Sequence, residues 1–305
     1  MSRARRSSCR DVHGILLLDK PEGIGSNTAL QRVKRLYNAR KAGHTGSLDL
    51  LASGLLPICL GEATKLSGFL LNADKHYRAT FKLGVVTSTG DANGAQIATH
   101  RVPVLNVKQL TAILKEFIGQ IKQVPPMYSA IKHQGKPLYK LAYQGIVVER
   151  KPRTITIHAL DLLEIKDDLI EVEIRCSKGT YVRTLAEDVG RALGCGGHVC
   201  ALRRLGAGPF EASQMVALDI LEGLEHEGLE ALDAKLVSMD KALAHRPAVV
   251  LSEDGAYYLR MGQPVVVPHA PTEGWVRLYS HASSFLGVGE VLDDGRVAPR
   301  RLINA

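Results

Sequence analysis

The chain has 305 residues, 45% of them hydrophobic, enough to bury a sizeable core and to form one large or two unequal domains. Lys and Arg number 39 against 31 Asp and Glu, giving a net charge of +8 and a pI near 9.2, a balance that favours a polyanionic partner without requiring one. No apolar run approaches the roughly 18 residues of a membrane span, and five cysteines without paired spacing read as reduced thiols, so a soluble, cytoplasmic protein is expected.

Arg3, Arg5, Arg6 and Arg10 precede an apolar run, 14–18, that is too short for a signal-peptide core and leads into charge. Its Ile15-Leu16-Leu17-Leu18 reads as a buried strand ended by Asp19-Lys20-Pro21. A helix follows, with Ser26 or Asn27 as cap and Leu30, Val33, Leu36 and Tyr37 as its apolar stripe. Residues 43–54 then hold a single carboxylate, Asp49, among three glycines and the hydroxyls of Thr45 and Ser47, a composition that favours a tight turn. Spacing alone leaves two readings open: a carboxylate displayed by a loop for chemistry, or one that caps a helix or closes an Asx-turn.

Strands are expected over 55–60 and 77–83, a short helix over 62–71, a loop over 91–94 and a second amphipathic helix over 107–118. Between 124 and 153 the composition shifts. Lys132, Lys136, Lys140, Arg150, Lys151 and Arg153 stand against one acid, Glu149, and are interleaved with Tyr128, His133, Tyr139 and Tyr143. Cations can meet phosphates and tyrosines can stack on unpaired bases, so the segment is either an RNA contact or a lysine-rich surface insertion. A hairpin over 154–165 and 169–176, a helix over 184–193 and a strand over 199–205 complete the large unit. Residues 217–243 are acidic and helical in pattern, and from Pro247 a 59-residue tail of short strands follows, so the expected domains are 1–246 and 247–305. Cys195-Gly-Gly-His198-Val-Cys200 lacks a second ligand pair for tetrahedral zinc, so no metal is implied. Phosphate-binding glycine loops, HExxH and G-x-S-x-G are absent.

Six motifs in order carry a resemblance. Gly43-His44-Thr45-Gly46-Ser47-Leu48-Asp49, continuing to Pro57, resembles the catalytic motif of the bacterial tRNA pseudouridine synthases that act on the T-loop uridine, the TruB family. Leu17 to Gly23, Asp74 to Arg78, Pro125 to Ala130, Cys176 to Arg183 and Leu202 to Leu205 agree with it over some two hundred residues. The resemblance implies an α/β fold with a mixed, largely antiparallel sheet flanked by helices, the catalytic loop in a central cleft, and a small C-terminal PUA-like RNA-binding barrel. It implies isomerisation of uridine to pseudouridine at position 55 in the T-loop of tRNA, with no cofactor, because no atom is gained or lost. Asp49 would begin the reaction as nucleophile or as base, a choice the sequence leaves open. Arg183 would pair with that carboxylate and lower its pKa. Tyr77 would stack on the target base, Leu202 would wall the uracil pocket, Tyr181 would contact substrate, and His44 would help to hold the flipped-out nucleotide. Lys20 and Pro21 would support the pocket. The implied partner is the T-arm of tRNA, with a monomer expected and no protein partner. A tRNA-binding folding factor with an idle Asp49, or a synthase for another stem-loop RNA, are the competing readings. One position departs: where the family usually has proline after the aspartate, this chain has Leu50.

Overall fold

The protein's structure, a computed structural model, describes residues 9–304; Arg3, Arg5 and Arg6 lie outside them, whereas Arg10 is described and pairs with Asp233, its Nη1 3.2 Å from Oδ1. In chain order the first elements are β1 (Gly14–Lys20), α1 (Ser26–Leu36), β2 (Ala42–His44), β3 (Ala52–Leu60), a 3₁₀ turn at Gly61–Leu66 running into α2 (Ser67–Asn72), and β4 (Lys75–Leu83). A small hairpin, β5 (Val85–Thr87) and β6 (Gln96–Thr99), α3 (Val107–Lys115) and β7 (Gly119–Gln123) lead to the insertion, which holds β8 (Lys132–His133), β9 (Lys136–Pro137) and α4 (Leu138–Ala142). Then come β10 (Arg153–Lys166), β11 (Leu169–Cys176), α5 (Val182–Ala192), β12 (Gly197–Ala207), β13 (Phe210–Glu211), β14 (Val216–Ala217), α6 (Leu218–Leu224) and α7 (Leu229–Asp233).

Ten strands form one mixed sheet in the order β14-β1-β3-β12-β4-β11-β10-β7, with β2 added on β3 and β13 on β12. Only β1 with β14 and β3 with β12 run parallel; the other pairs are antiparallel. The continuous apolar runs of β1 and β3 follow from burial on both faces. Leu16, Leu18, Leu56 and Ile58 join the core under α1, α3, α5, α6 and α7, whereas Ile15, Leu17, Leu55 and Cys59 join a second core with Leu66, Leu70, Phe210 and Leu243. At the other end β11 is covered on one face only, so it alternates: Ile170, Val172 and Ile174 are fully buried while Glu171, Glu173 and Arg175 look outward.

The last unit holds β15 (Ala248–Leu251), α8 (Glu253–Arg260), β16 (Gly274–Ser280), β17 (Phe285–Val291) and β18 (Val297–Leu302), with the strands paired in that order. The helix α8 differs from the expected run of strands. Its start was written in the sequence: the Ser252 hydroxyl accepts from Gly255 N at 3.1 Å, and Glu253 and Asp254 occupy the first turn. The unit rests on the second core through Val288 and Ile303, and Phe69 meets Trp275 edge to face at 5.3 Å. Two other boundaries also shift. α1 begins at Ser26 with Gly25 as its cap, and β3 begins at Ala52 rather than 55, because strand pairing with β12 extends it towards Asp49.

Candidate active site

The loop 45–51 joins β2 to β3 at the centre of the sheet and is tied down on every side. Leu48 and Leu51 are buried in the main core and flank Asp49 like two pegs. Thr45 N donates to Pro57 O at 3.1 Å, Ala52 N to Asp49 O at 3.1 Å, and Gly23 N to Leu50 O at 2.8 Å. The Ser26 hydroxyl, expected as a helix cap, instead clamps Leu48: it donates to the carbonyl at 3.0 Å and accepts from the N–H at 2.7 Å. Gly46, at φ +107°, makes the turn that a side chain would strain. Asp49 is thus held by a loop, and the helix-cap reading is set aside.

Arg183 comes to it from 134 residues away, in the first turn of α5. Its Nη2 donates to Asp49 Oδ1 at 3.2 Å, and Nε lies 2.8 Å from Oδ2 at an angle that makes the contact an ion pair rather than a second hydrogen bond. The guanidinium is itself positioned by neutral acceptors: Nη1 donates to Thr89 O at 2.8 Å and Nη2 to Tyr128 O at 2.7 Å. Behind it stands Asp91, buried, with Oδ2 3.7 Å from Nε and Oδ1 accepting from the Thr89 hydroxyl at 2.7 Å and from Asn93 N at 3.1 Å. The sequence showed Asp91 only as loop chemistry. Its signal was the Asx-turn pattern Asp91-Ala-Asn-Gly94, but the fold was needed to aim its second oxygen at Arg183.

Arg183 lowers the Asp49 pKa as expected, but two other influences outweigh it. Burial in the cleft pushes it up, Arg183 pulls it down, and Asp91 pushes it up again, so the net direction is above the ordinary carboxylate value. The side chain nevertheless leaves 44% of its surface open to the cleft, which limits that burial effect, and we take the ion pair with Arg183 as the state at neutral pH.

A cleft of about 310 Å³ opens over this pair, lined among others by Tyr77, Tyr128, Tyr181, Leu202 and Arg204. Tyr77 on β4 and Leu202 on β12 are neighbours in the sheet and almost buried, at 9% and 8% exposure. Tyr181 caps α5, and the amide of Gln123, unremarked in the sequence, grips its backbone: Oε1 accepts from Tyr181 N at 2.8 Å and Nε2 donates to Tyr181 O at 3.0 Å. His44 is not among the lining residues. It ends β2 opposite Ile58, and burial, then the charge of Arg204, lowers its pKa and keeps the ring neutral. Lys20 is fully buried and donates to Pro21 O and Ile24 O, both at 2.8 Å, which supports the segment beneath the loop. Loss of solvent takes its pKa down to about 8 against the pull of Asp49.

Lys132, Lys136, Lys140, Lys151 and Arg153 are exposed on and beside the insertion. Arg150 differs, with Nη1 donating to Pro125 O at 3.1 Å and Nε buried, so it anchors the base of the insertion. The tyrosines cluster, Tyr128 and Tyr139 each meeting Tyr143 edge to face. Among the described residues no group of His, Cys, Asp and Glu could hold a metal ion.

Residues 34–182 match the N-terminal domain of the TruB family pseudouridylate synthases, 183–244 the tRNA pseudouridylate synthase B C-terminal domain, and 247–303 the C-terminal region of pseudouridine synthase II TruB. The chain is 60% identical over 99% of its length to tRNA pseudouridine synthase B of Nitrosococcus oceani, covering 98% of that protein. The chain belongs to the TruB family. Other TruB-family relatives include the synthases of Pseudomonas aeruginosa, 54% identical with 97% of each chain covered, and Coxiella burnetii, 54% identical with 96% of each covered. Among solved structures it is similar to a chain of a Cbf5-Nop10-Gar1 complex, with TM-score 0.72 and 28% identity over 92% of this chain and 78% of that one.

Within that family frame Leu50 stands out, at 51% exposure and pointing away from the cleft towards Gly25. Its N–H donates no hydrogen bond among the described residues, and its φ is not positive. Proline at this position therefore removes no observed backbone hydrogen bond and restricts the unfolded chain. Leu50→Pro is expected to stabilise by about 0.4–1 kcal/mol, a rise of roughly 1–4 °C in Tm, with the single-turnover rate unchanged or higher. Calorimetry and rapid quench check this; a slower, less stable variant would mean that the leucine side chain itself holds the loop.

Proposed function

We propose that this TruB-family tRNA pseudouridine synthase acts on the T-loop uridine at position 55, with Asp49 as the catalytic carboxylate. The observation that carries the reading is the Asp49–Arg183 pair at the floor of a cleft walled by Tyr77, Tyr181 and Leu202. The base must leave its stack to reach this floor. Once there, it would lie between these walls with its sugar over Asp49. Arg183 keeps the carboxylate ionised and aimed, whether it attacks a carbon or removes a ribose proton. Conversion breaks C1′–N1, turns the base and joins C1′ to C5, and the proton on C5 leaves at the end. His44, outside the cleft lining, would act on the RNA around the flipped nucleotide.

Residues 1–246 would supply catalysis and 247–305 an RNA-binding unit, in a cytoplasmic monomer. Among the described residues no helix is long and apolar enough to cross a membrane. The positive charge is unevenly shared: the tail has five arginines against six acids, so the net charge lies entirely upstream. Electrostatic attraction to tRNA is accordingly assigned to the catalytic unit and its insertion. Tritium release from tRNA labelled at C5 of the T-loop uridine, compared with other stem-loops, tests the function, and binding without release would turn the chain into a folding factor.

The exposed lysines give a separate measurement. Neutralising Lys132, Lys136 and Lys140 is expected to flatten the salt dependence of tRNA binding by up to about one unit of log–log slope for each phosphate they neutralise. An unchanged slope would return the insertion to solvated surface.

A further inference from the structure

Gln123 is 2% exposed and ends the edge strand β7, one residue before the insertion begins. A buried amide carries donors and an acceptor that must both be met. Gln123 directs both kinds to a single residue 58 positions away: Oε1 accepts from Tyr181 N at 2.8 Å, and Nε2 donates to Tyr181 O at 3.0 Å. The reversed amide would set N–H against N–H and oxygen against oxygen, so the pairing has one orientation. Tyr181 depends on this restraint. It is the cap residue of α5, in extended geometry at φ −101° and ψ 107°, and its own side chain makes no capping hydrogen bond. Its carbonyl also accepts from Leu185 N at 3.1 Å, which closes the first turn of α5, whereas its N–H donates to Gln123.

Two residues beyond Tyr181, Arg183 holds Asp49, and the insertion that starts after Gln123 supplies Tyr128 O to the same guanidinium. The root of the insertion therefore meets the cleft wall and the catalytic pair at separate points. We infer that Gln123 is a positioning residue for the isomerisation: it fixes the backbone of Tyr181 and so aims the Tyr181 ring at the nucleotide over Asp49. Tyr181 lines the cleft beside Asp49. An error in its backbone angles is carried to the far end of the ring and enlarged on the way. A displacement of about 1 Å in a group that orients the substrate can cost ~10²-fold in rate. Both hydrogen bonds of Gln123 go to this one residue and neither to the sheet, which is the pattern of an aimed contact rather than of a brace between strands. The inference rests on Tyr181 contacting the substrate, as proposed above.

A double-mutant cycle on the full chain tests it, with single-turnover rate, tRNA Kd and Tm read for Gln123→Met, Tyr181→Ala and the pair. Methionine keeps the shape of the side chain and removes both hydrogen bonds. Gln123→Met is expected to slow the rate by roughly 10–100-fold with Kd within about threefold, and to slow it by less than about threefold more once the Tyr181 ring is gone. Equal losses in both backgrounds, or a lower Tm with the rate kept, would overturn the proposal and leave Gln123 as a structural strut. A fully active Tyr181→Ala would instead overturn the Tyr181 reading beneath it, and the inference with it. Because an unmet Tyr181 N–H can impair folding, a second measure leaves Gln123 in place: the α-hydroxy-acid analogue of tyrosine at position 181 replaces only that N–H by an oxygen and keeps the ring. The single-turnover rate should fall by roughly 3–10-fold, and an unchanged rate overturns the proposal.

Discussion

Asp49→Asn is expected to lower single-turnover pseudouridine formation by about 10²–10⁴-fold or more while the Kd for tRNA stays within a few fold. The amide keeps the shape of the side chain, and the loop that presents it is fixed by Leu48, Leu51 and Ser26, none of which depends on the charge. The change therefore removes the proposed reacting group and leaves the cleft intact. Tritium release under single turnover, beside filter binding, separates the two quantities. Retained turnover would take Asp49 out of the mechanism.

Arg183→Lys should slow the reaction by on the order of 10²-fold although it keeps the charge. The guanidinium reaches Thr89 O, Tyr128 O and both Asp49 oxygens from three different nitrogens. An ammonium must donate from one nitrogen and cannot span them. Removing a charge-assisted hydrogen bond costs about 1.5–3 kcal/mol, so the absence of one or two carries the predicted factor. The pH dependence has a definite sign. Arg183 opposes the burial that raises the Asp49 pKa. With the pairing weakened that pKa climbs further, so the ionised carboxylate is lost at a higher pH as pH falls. The acid limb of the rate profile should move to higher pH in the variant. A lysine variant with full activity and an unmoved limb would remove the pairing from catalysis.

Arg183 also joins the catalytic floor to the insertion, because Tyr128, at the insertion's start, supplies one of its acceptors. RNA docked on the exposed lysines, as proposed above, would thus be connected to the Asp49–Arg183 pair through this hydrogen bond, and the Arg183 variant should be assayed for both rate and affinity.

The elements legible from the amino acids alone are those whose residues report their own surroundings. The doubly buried strands β1 and β3 appear as unbroken apolar runs, the half-covered β11 as an alternation, and the three glycines around Asp49 as a turn. Family resemblance, carried by short motifs, linked Asp49, Arg183, Tyr77, Tyr181 and Leu202, and the fold brings all five to one cleft. How each polar group is used became clear only from the packed chain. Ser26 looks like a cap and is a clamp on Leu48; Asp91 looks like a turn and backs Arg183; Arg204 looks like one more basic residue and is a buried cation held by carbonyls of the site. The net direction of the Asp49 pKa, upward despite the expected pull of Arg183, has the same origin. A local pattern names a charge and its donors, but the sign and strength of its environment depend on how much solvent is removed and which distant groups replace it, and pairing between strands over a hundred residues apart fixes both.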